Sequence, residues 1–242
     1  AKYYMYVTIA DGTAQGKCAI VLTSSDKPDG PYKYEKIIVA SAMTTEDAHK
    51  TNLMDVLGIT DKSKIPPKYT SNDRSYPDCI DATVFYDHTG RLWMVYGSFT
   101  CAGGIRMIQL DPATGDRLKS GEYKDDGTAD TIGDKDPYYG IRLANNNGEG
   151  PFIMEVPSKK SSTGYYYFLW TSVGGLQSYG GYHMRMYRSE NVEGPYVDTA
   201  GNKATANLGR SEVGLRVMDN FKFSFMDFAY TSCGGNSAIL SA

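Results

Sequence analysis

The sequence predicts an all-β fold of the propeller kind, and three observations carry that expectation. First, the composition pairs 20 Tyr with 26 Gly and shows few long helical patterns. Tyrosine-rich strands punctuated by glycine turns mark an all-β chain. Second, short apolar or alternating runs recur between turn signals along most of the chain. Third, a strand pair followed by one shared turn motif occurs twice. Sheet units repeated in this way point to a radial array rather than a sandwich.

The runs, in order, are Lys2–Thr8, Cys18–Ser24, Ala82–Tyr86, Leu92–Ser98, Ile105–Leu110, Phe152–Val156, Tyr165–Ser172 and Tyr182–Arg188. Each has strand length and is rich in aromatic or β-branched residues. Asp87-His88-Thr89-Gly90 joins two of them and reads as a hairpin turn. A helix is expected within Thr44–Leu57, where Thr44-Thr45-Glu46-Asp47 supplies the opening. It lies in residues 41–79, which read as a long insertion.

The repeat is explicit in the residues. Tyr3–Tyr34 runs as a YYMY strand, a second strand, then Ser25 followed by Gly30-Pro31-Tyr32; Tyr165–Ala200 runs as YYYF, a second strand, then Ser189 followed by Gly194-Pro195-Tyr196. In the later copy an inner strand near Glu149–Val156 precedes the pair. In the first copy the pair begins at residue 3, so its inner strand is expected before residue 1, and Ser237–Leu240 reads as a last strand at the other end. The expectation is a single propeller domain over 1–242 that lacks the first blade's inner strand and the final blade region. The remaining segments of the same propeller are its expected structural partners.

Composition excludes several functions. The 25 Lys plus Arg against 28 Asp plus Glu leave no basic excess for nucleic acid. No run of about 18 apolar residues spans a membrane. Cys18, Cys79, Cys101 and Cys233 match no zinc spacing. Asp111-Pro112-Ala113-Thr114-Gly115 is a turn without the alternating acidic ligands of a calcium loop. His49, His88 and His183 are scattered and read as surface or packed side chains. Cys79 and Cys101 flank the hairpin at 88–90 almost symmetrically, so they are expected close together and able to form a disulfide in an exported protein. Cys18 is expected to be a buried thiol.

Two carboxylates stand at equivalent positions of the repeat. Asp81 heads the inner strand of one unit and Glu149 heads that of the next. Inner strands of a propeller line its central channel, so both are expected to face one axial cleft. Paired carboxylates in a cleft suit glycosidic-bond hydrolysis. Ser98 and Phe99 return toward the same rim as Asp81 and are candidate subsite residues. Trp93 and Trp170 read first as core residues, with Trp170 also a candidate sugar platform.

The residues also carry a resemblance. IDATVFYDHTGRLWMVYGSF at 80–99, followed by GGIRMIQLDPATG at 103–115, resembles the second blade of glycoside hydrolase family 43. EGPFIMEV, GYYYFLWTS and YHMRMYRSENVEGPYVDTAG resemble its third blade, and GGNSAI at 234–239 resembles a fourth-blade motif. The GPYVD ending and the YGS–GGI pairing are closest to the arabinanase branch. The resemblance implies a five-bladed propeller and an inverting, endo- or exo-acting hydrolase of arabinan-type polysaccharide, secreted or periplasmic. Other specificities of the family, a β-xylosidase or a galactan hydrolase, are the alternative, together with a non-catalytic carbohydrate-binding propeller. It implies that Glu149 is the general acid and that Asp81 orients this acid and raises its pKa. The general base, an Asp of the first blade's inner strand, matches no residue of the chain. The family's usual Gly-His-Asn-Ser, whose histidine helps hold a central metal, often calcium, is Gly234-Gly235-Asn236-Ser237 here. Such a metal would lose an anchor at Gly235. Ala82 stands where a Pro is common.

Overall fold

A computed structural model describes residues 2–12, 16–119, 132–176, 180–207, 213–219, 221–222 and 230–231. Its described residues form three successive antiparallel sheets. The first contains β1 (Tyr3–Ala10), β2 (Cys18–Ser25) and β3 (Lys33–Ser41), in the order β1-β2-β3. The second contains β4 (Thr83–Tyr86), β5 (Leu92–Tyr96), β6 (Ile105–Leu110), β7 (Lys135–Asp136) and β8 (Gly140–Ala144), in the order β4-β5-β6-β8-β7. The third contains β9 (Glu149–Pro157), β10 (Tyr165–Val173), β11 (His183–Ser189) and β12 (Leu215–Met218), in the order β9-β10-β11-β12. A short pair, β13 (Phe221–Lys222) and β14 (Tyr230–Thr231), follows. The first and third sheets are meanders, the strand order of a propeller blade, and the second is one through β6, after which β8 lies between β6 and the short β7.

All eight runs named from the sequence are strands, and among the described residues six more, β3, β7, β8, β12, β13 and β14, were hidden. The outer half of β3 reads Lys33-Tyr34-Glu35-Lys36 and is exposed, which masks the apolar Ile37–Ala40 that follows. β7 and β8 are short and open with a lysine and a glycine, β12 is a four-residue strand with a largely exposed surface, and β13 and β14 are two residues each. The expected strand at Ser237–Leu240 and the Gly234–Ser237 motif lie outside the described residues.

Local chemistry accounts for the turns. At the β4–β5 hairpin the Asp87 carboxylate accepts the Thr89 and Arg91 amides, the Arg91 guanidinium and the Trp93 indole N–H, the last at 2.9 Å. Burial alone would raise this carboxyl, but these donors pull it down to about 2. The helix expected over Thr44–Leu57 divides into α1 (Thr45–Ala48) and α2 (Leu53–Leu57). Thr44 and Asp47 form the capping box that opens α1. The break falls where Thr51 Oγ1 donates to the Ala48 carbonyl and accepts from the Leu53 amide, offering the backbone side-chain partners in place of helix.

The repeat holds at the level of single hydrogen bonds. Ser25 Oγ accepts the Lys27 amide and Ser189 Oγ accepts the Asn191 amide. Tyr32 donates to the Pro28 carbonyl and Tyr196 to the Val192 carbonyl. β1 and β10 are therefore the same strand of two blades. Among the described residues β10 is flanked by both β9 and β11, whereas β1 pairs with β2 alone.

Two hydrophobic cores meet at the second sheet. One joins Ile20, Leu22, Ile38 and Val39 of the first sheet to Leu92, Met94 and Tyr96, and takes in Leu53, Val56, Ile65, Tyr69 and Tyr76 of the insertion. The other joins Trp93, Val95 and Met107 to Ile153, Leu169 and Tyr187 of the third sheet. Residues 41–79 are thus part of the packed body. Buried Lys68 and Asp136 clamp them at 3.3 Å, and Asp136 also accepts the Tyr138 and Tyr139 amides and the Tyr69 hydroxyl.

The cysteine pairing is corrected. Cys18, Cys79 and Cys101 are all buried free thiols. Asp78, rather than its neighbour Cys79, faces residues 100–101, accepting the Thr100 and Cys101 amides at 2.9 and 3.0 Å. Cys79 turns toward the first sheet instead, where its amide donates to Cys18 Sγ. Cys18 is the buried thiol expected.

Candidate active site

Asp81 and Glu149 meet where the second and third sheets adjoin, with β4 and β5 packed against β9. Asp81 lies two residues before β4, with a left-handed backbone at φ 57°. Aspartate tolerates this region better than most side chains, and such backbones cluster at functional sites. The segment before it is wedged under the 97–104 loop. A Cβ on Gly103 would lie 2.1 Å from the Pro77 nitrogen, so only glycine permits the approach.

Glu149 is aimed by an irregular register. Trp170 faces Phe152 across the β9–β10 ladder, but Ser172 faces Glu149 rather than Gly150. One extra residue has entered β9 across Gly150-Pro151, where Gly150 has φ 55°. Side chains alternate faces along a strand, so without this bulge Glu149 would point to the opposite side of the sheet. The bulge returns it to the face of Trp170 and Ser172.

Three contacts define the carboxylate pair. The Gly150 amide donates to Asp81 Oδ2 at 3.2 Å, which ties Asp81 to the backbone beside Glu149. Tyr182 Oη donates to Glu149 Oε1 at 2.6 Å, and Ser98 Oγ donates to Glu149 Oε2 at 3.3 Å. Burial, and then the negative charge of Glu149, raise the Asp81 carboxyl above its ordinary value, while the Gly150 amide pulls the other way. Burial and the hydrogen bond to Glu149 raise the Tyr182 phenol, which therefore stays a donor.

Of the residues singled out from sequence, Asp81, Glu149 and Ser98 converge. Ser98 is buried, and Phe99, its neighbour in sequence, is 44% exposed. Trp170 shares the Glu149 face of the sheet one pair along, half-buried, with its indole N–H buried and without a hydrogen-bond partner. Trp93 lies wholly in the core. His88 contacts Glu155 and stacks on Tyr165 at the surface, whereas His183 is buried and accepts from Arg185. Sequence reasoning missed three participants: Tyr182, Ser172 and Asp78. Tyr182 follows Gly180-Gly181 as one tyrosine among 20. Asp78 holds the Thr100 and Cys101 amides and so fixes the loop that carries Ser98. Its place three residues before Asp81 was the available signal.

Among the described residues no group of three or more His, Cys, Asp or Glu side chains could hold a metal ion. The Gly234–Ser237 stretch that bears on a central calcium is outside them.

Comparison with known proteins now fits this geometry. The model of glycosyl hydrolases family 43 matches residues 60–213, which include both carboxylates, Ser98 and Tyr182. The chain belongs to glycosyl hydrolases family 43. Its fold is that family's five-bladed β-propeller, of which the described residues supply three blades. The chain is 35% identical over 250 residues to an extracellular endo-α-(1→5)-L-arabinanase of Thermotoga petrophila, covering 98% of this chain and 45% of that protein. It is 29% identical over 253 residues to extracellular endo-α-(1→5)-L-arabinanase 2 of Bacillus subtilis, with the same coverage of 98% and 45%. A crystal structure of the Thermotoga petrophila endo-1,5-α-L-arabinanase in complex with TRIS superposes with a TM-score of 0.69 at 32% identity, covering 97% of this chain and 46% of that one. The chain thus spans about half the length of the family 43 relatives it matches.

Proposed function

We propose that this propeller hydrolyses α-(1→5)-linked L-arabinan internally, with inversion at the anomeric carbon. The observation that carries the reading is the Glu149 carboxylate, held by Tyr182 and Ser98 hydroxyls beside the half-buried Asp81. In this reading Glu149 is the general acid that protonates the departing glycosidic oxygen. Asp81, through the Gly150 amide, orients the segment that carries the acid. A water activated by a general base attacks the opposite face of the sugar, with acid and base roughly 6.5–9.5 Å apart as inversion requires. No described residue is assigned that base. Phe99 and Trp170 offer faces for sugar rings. The relatives' names, extracellular endo-arabinanases, support the endo mode and an extracellular site of action. No helix of the described residues is long and apolar enough to cross a membrane.

The test is Glu149→Gln in the full-length protein. Turnover of linear arabinan should fall by roughly 10²–10⁴-fold, the usual contribution of a positioned acid. An aryl arabino-oligoside whose leaving group needs no protonation should lose much less. Equal losses on good and poor leaving groups would rule out the acid role. A protein that binds arabinan but releases no oligosaccharide would establish the carbohydrate-binding alternative.

A further inference from the structure

We propose that Tyr182, backed by Ser172, is a positioning residue that decides which oxygen of Glu149 carries the catalytic proton. The inference rests on Glu149 being the acid and goes one step further into its chemistry. A carboxylic acid holds one proton on one of two oxygens, and only the oxygen facing the glycosidic bond can deliver it. Something must therefore break the equivalence of Oε1 and Oε2.

The two oxygens have unequal partners. Oε1 accepts the Tyr182 hydroxyl at 2.6 Å, a short bond to a carboxylate, while Oε2 meets the Ser98 hydroxyl at 3.3 Å. Tyr182 is 5% exposed. Its oxygen also shares a hydrogen bond with Ser172, which is fully buried and is the cross-strand partner of Glu149 at the β9 bulge. With the Ser172 hydroxyl donating to the phenol oxygen, the single phenol hydrogen is directed at Oε1. A proton on Oε1 would face that hydrogen head on. The proton therefore resides on Oε2, where the Ser98 hydroxyl can rotate about its Cβ–Oγ bond to accommodate it.

The Oε2 proton moves to the glycosidic oxygen as the bond from that oxygen to the anomeric carbon breaks. Water supplies the new oxygen at that carbon, and its proton leaves with the general base. Glu149 is left as a carboxylate, with Tyr182 still donating to Oε1 and Ser98 turned back to donate to Oε2. The Tyr182 bond is thus made before the transfer and strengthens during it, as charge develops on the carboxylate.

The experiment is Tyr182→Phe in the full-length protein, which keeps the buried ring and removes only the hydroxyl, with Ser172→Ala as a milder second variant and Glu149→Gln run in parallel. On linear arabinan kcat should fall roughly 10- to 100-fold for Tyr182→Phe, at or below the low end of direct acid–base contributions, as suits a group that acts through the acid. The loss should be smaller on an aryl arabino-oligoside with a good leaving group. The alkaline limb of the kcat–pH profile should move to higher pH, because the ionised acid loses its strongest donor. Ser172→Ala should shift the limb the same way by less. An unmoved alkaline limb together with equal losses on both leaving groups would reduce Tyr182 to a packing residue and overturn the inference, while a leaving-group-dependent Glu149→Gln left the acid assignment standing. If Glu149→Gln itself shows no leaving-group dependence, the acid assignment fails and takes this inference with it.

Discussion

Asp81 and Glu149 stand at matching places in successive blades, one just ahead of β4 and the other opening β9, yet the chain surrounds them differently. Asp81 sits on a left-handed backbone and accepts the Gly150 amide. Glu149 sits on a strand corrected by a bulge and accepts two side-chain hydroxyls. A backbone amide is a fixed donor, so its partner is best served by remaining an acceptor. Hydroxyls rotate, and the Ser98 hydroxyl can follow a proton that comes and goes. The difference teaches that equivalent carboxylates acquire separate duties from the kind of donor that meets them, as much as from their burial.

Substitutions can break this contrast. Apart from changes to Glu149 itself, Asp81→Asn should have the largest effect on turnover, roughly 10²-fold on linear arabinan, the low end of positioned acid–base contributions. Its KM should change little, because the effect passes through the Gly150 amide to the acid. A rise in KM with kcat preserved would make Asp81 a sugar ligand and dissolve the contrast. Ser98→Ala should be smaller, roughly three- to tenfold in kcat, as befits a long hydrogen bond to a charged group. A loss on Ser98→Ala exceeding that of Tyr182→Phe would reverse the ranking of the two hydroxyls.

The smallest effect concerns stability. The folded pKa of Asp81 is raised. A carboxyl raised on folding penalises its ionised form in the folded state. The penalty is absent below the unfolded value, about 3.9, and complete once pH has risen through the folded value. Asp81→Asn should therefore raise the melting temperature by a few degrees at neutral pH, with the gain vanishing in acid. Asparagine also tolerates the left-handed backbone. Calorimetry at several pH values checks this, and a variant less stable than the parent at pH 7 would mean that the charged Asp81–Gly150 bond outweighs burial and the repulsion from Glu149.

Much of this architecture was legible because blades repeat. The Ser–Gly-Pro-Tyr turns of the first and third blades announced themselves in sequence, and the same hydrogen bonds recur in both. Asp81, Glu149 and Ser98 were legible through strand order and resemblance. What was hidden depended on register and on distant contact. The orientation of Glu149 turns on one extra residue at Gly150-Pro151, which an alternating pattern does not encode. Tyr182 reaches Glu149 across 33 residues of sequence. The expected link between Cys79 and Cys101 failed because flanking positions do not say which side chain of a segment faces the loop, and here Asp78 does.

The middle blade has one further property. Every residue of β5 is buried, with Leu92, Met94 and Tyr96 in one core and Trp93 and Val95 in the other. A strand with no wet face cannot be exposed by peeling back one neighbour, since the sheet on its other side still covers it. Its amides are bonded sideways to β4 and β6, and freeing them disturbs side chains seated in both cores, so the exchange clock of β5 should run closer to whole-domain opening than to local fraying.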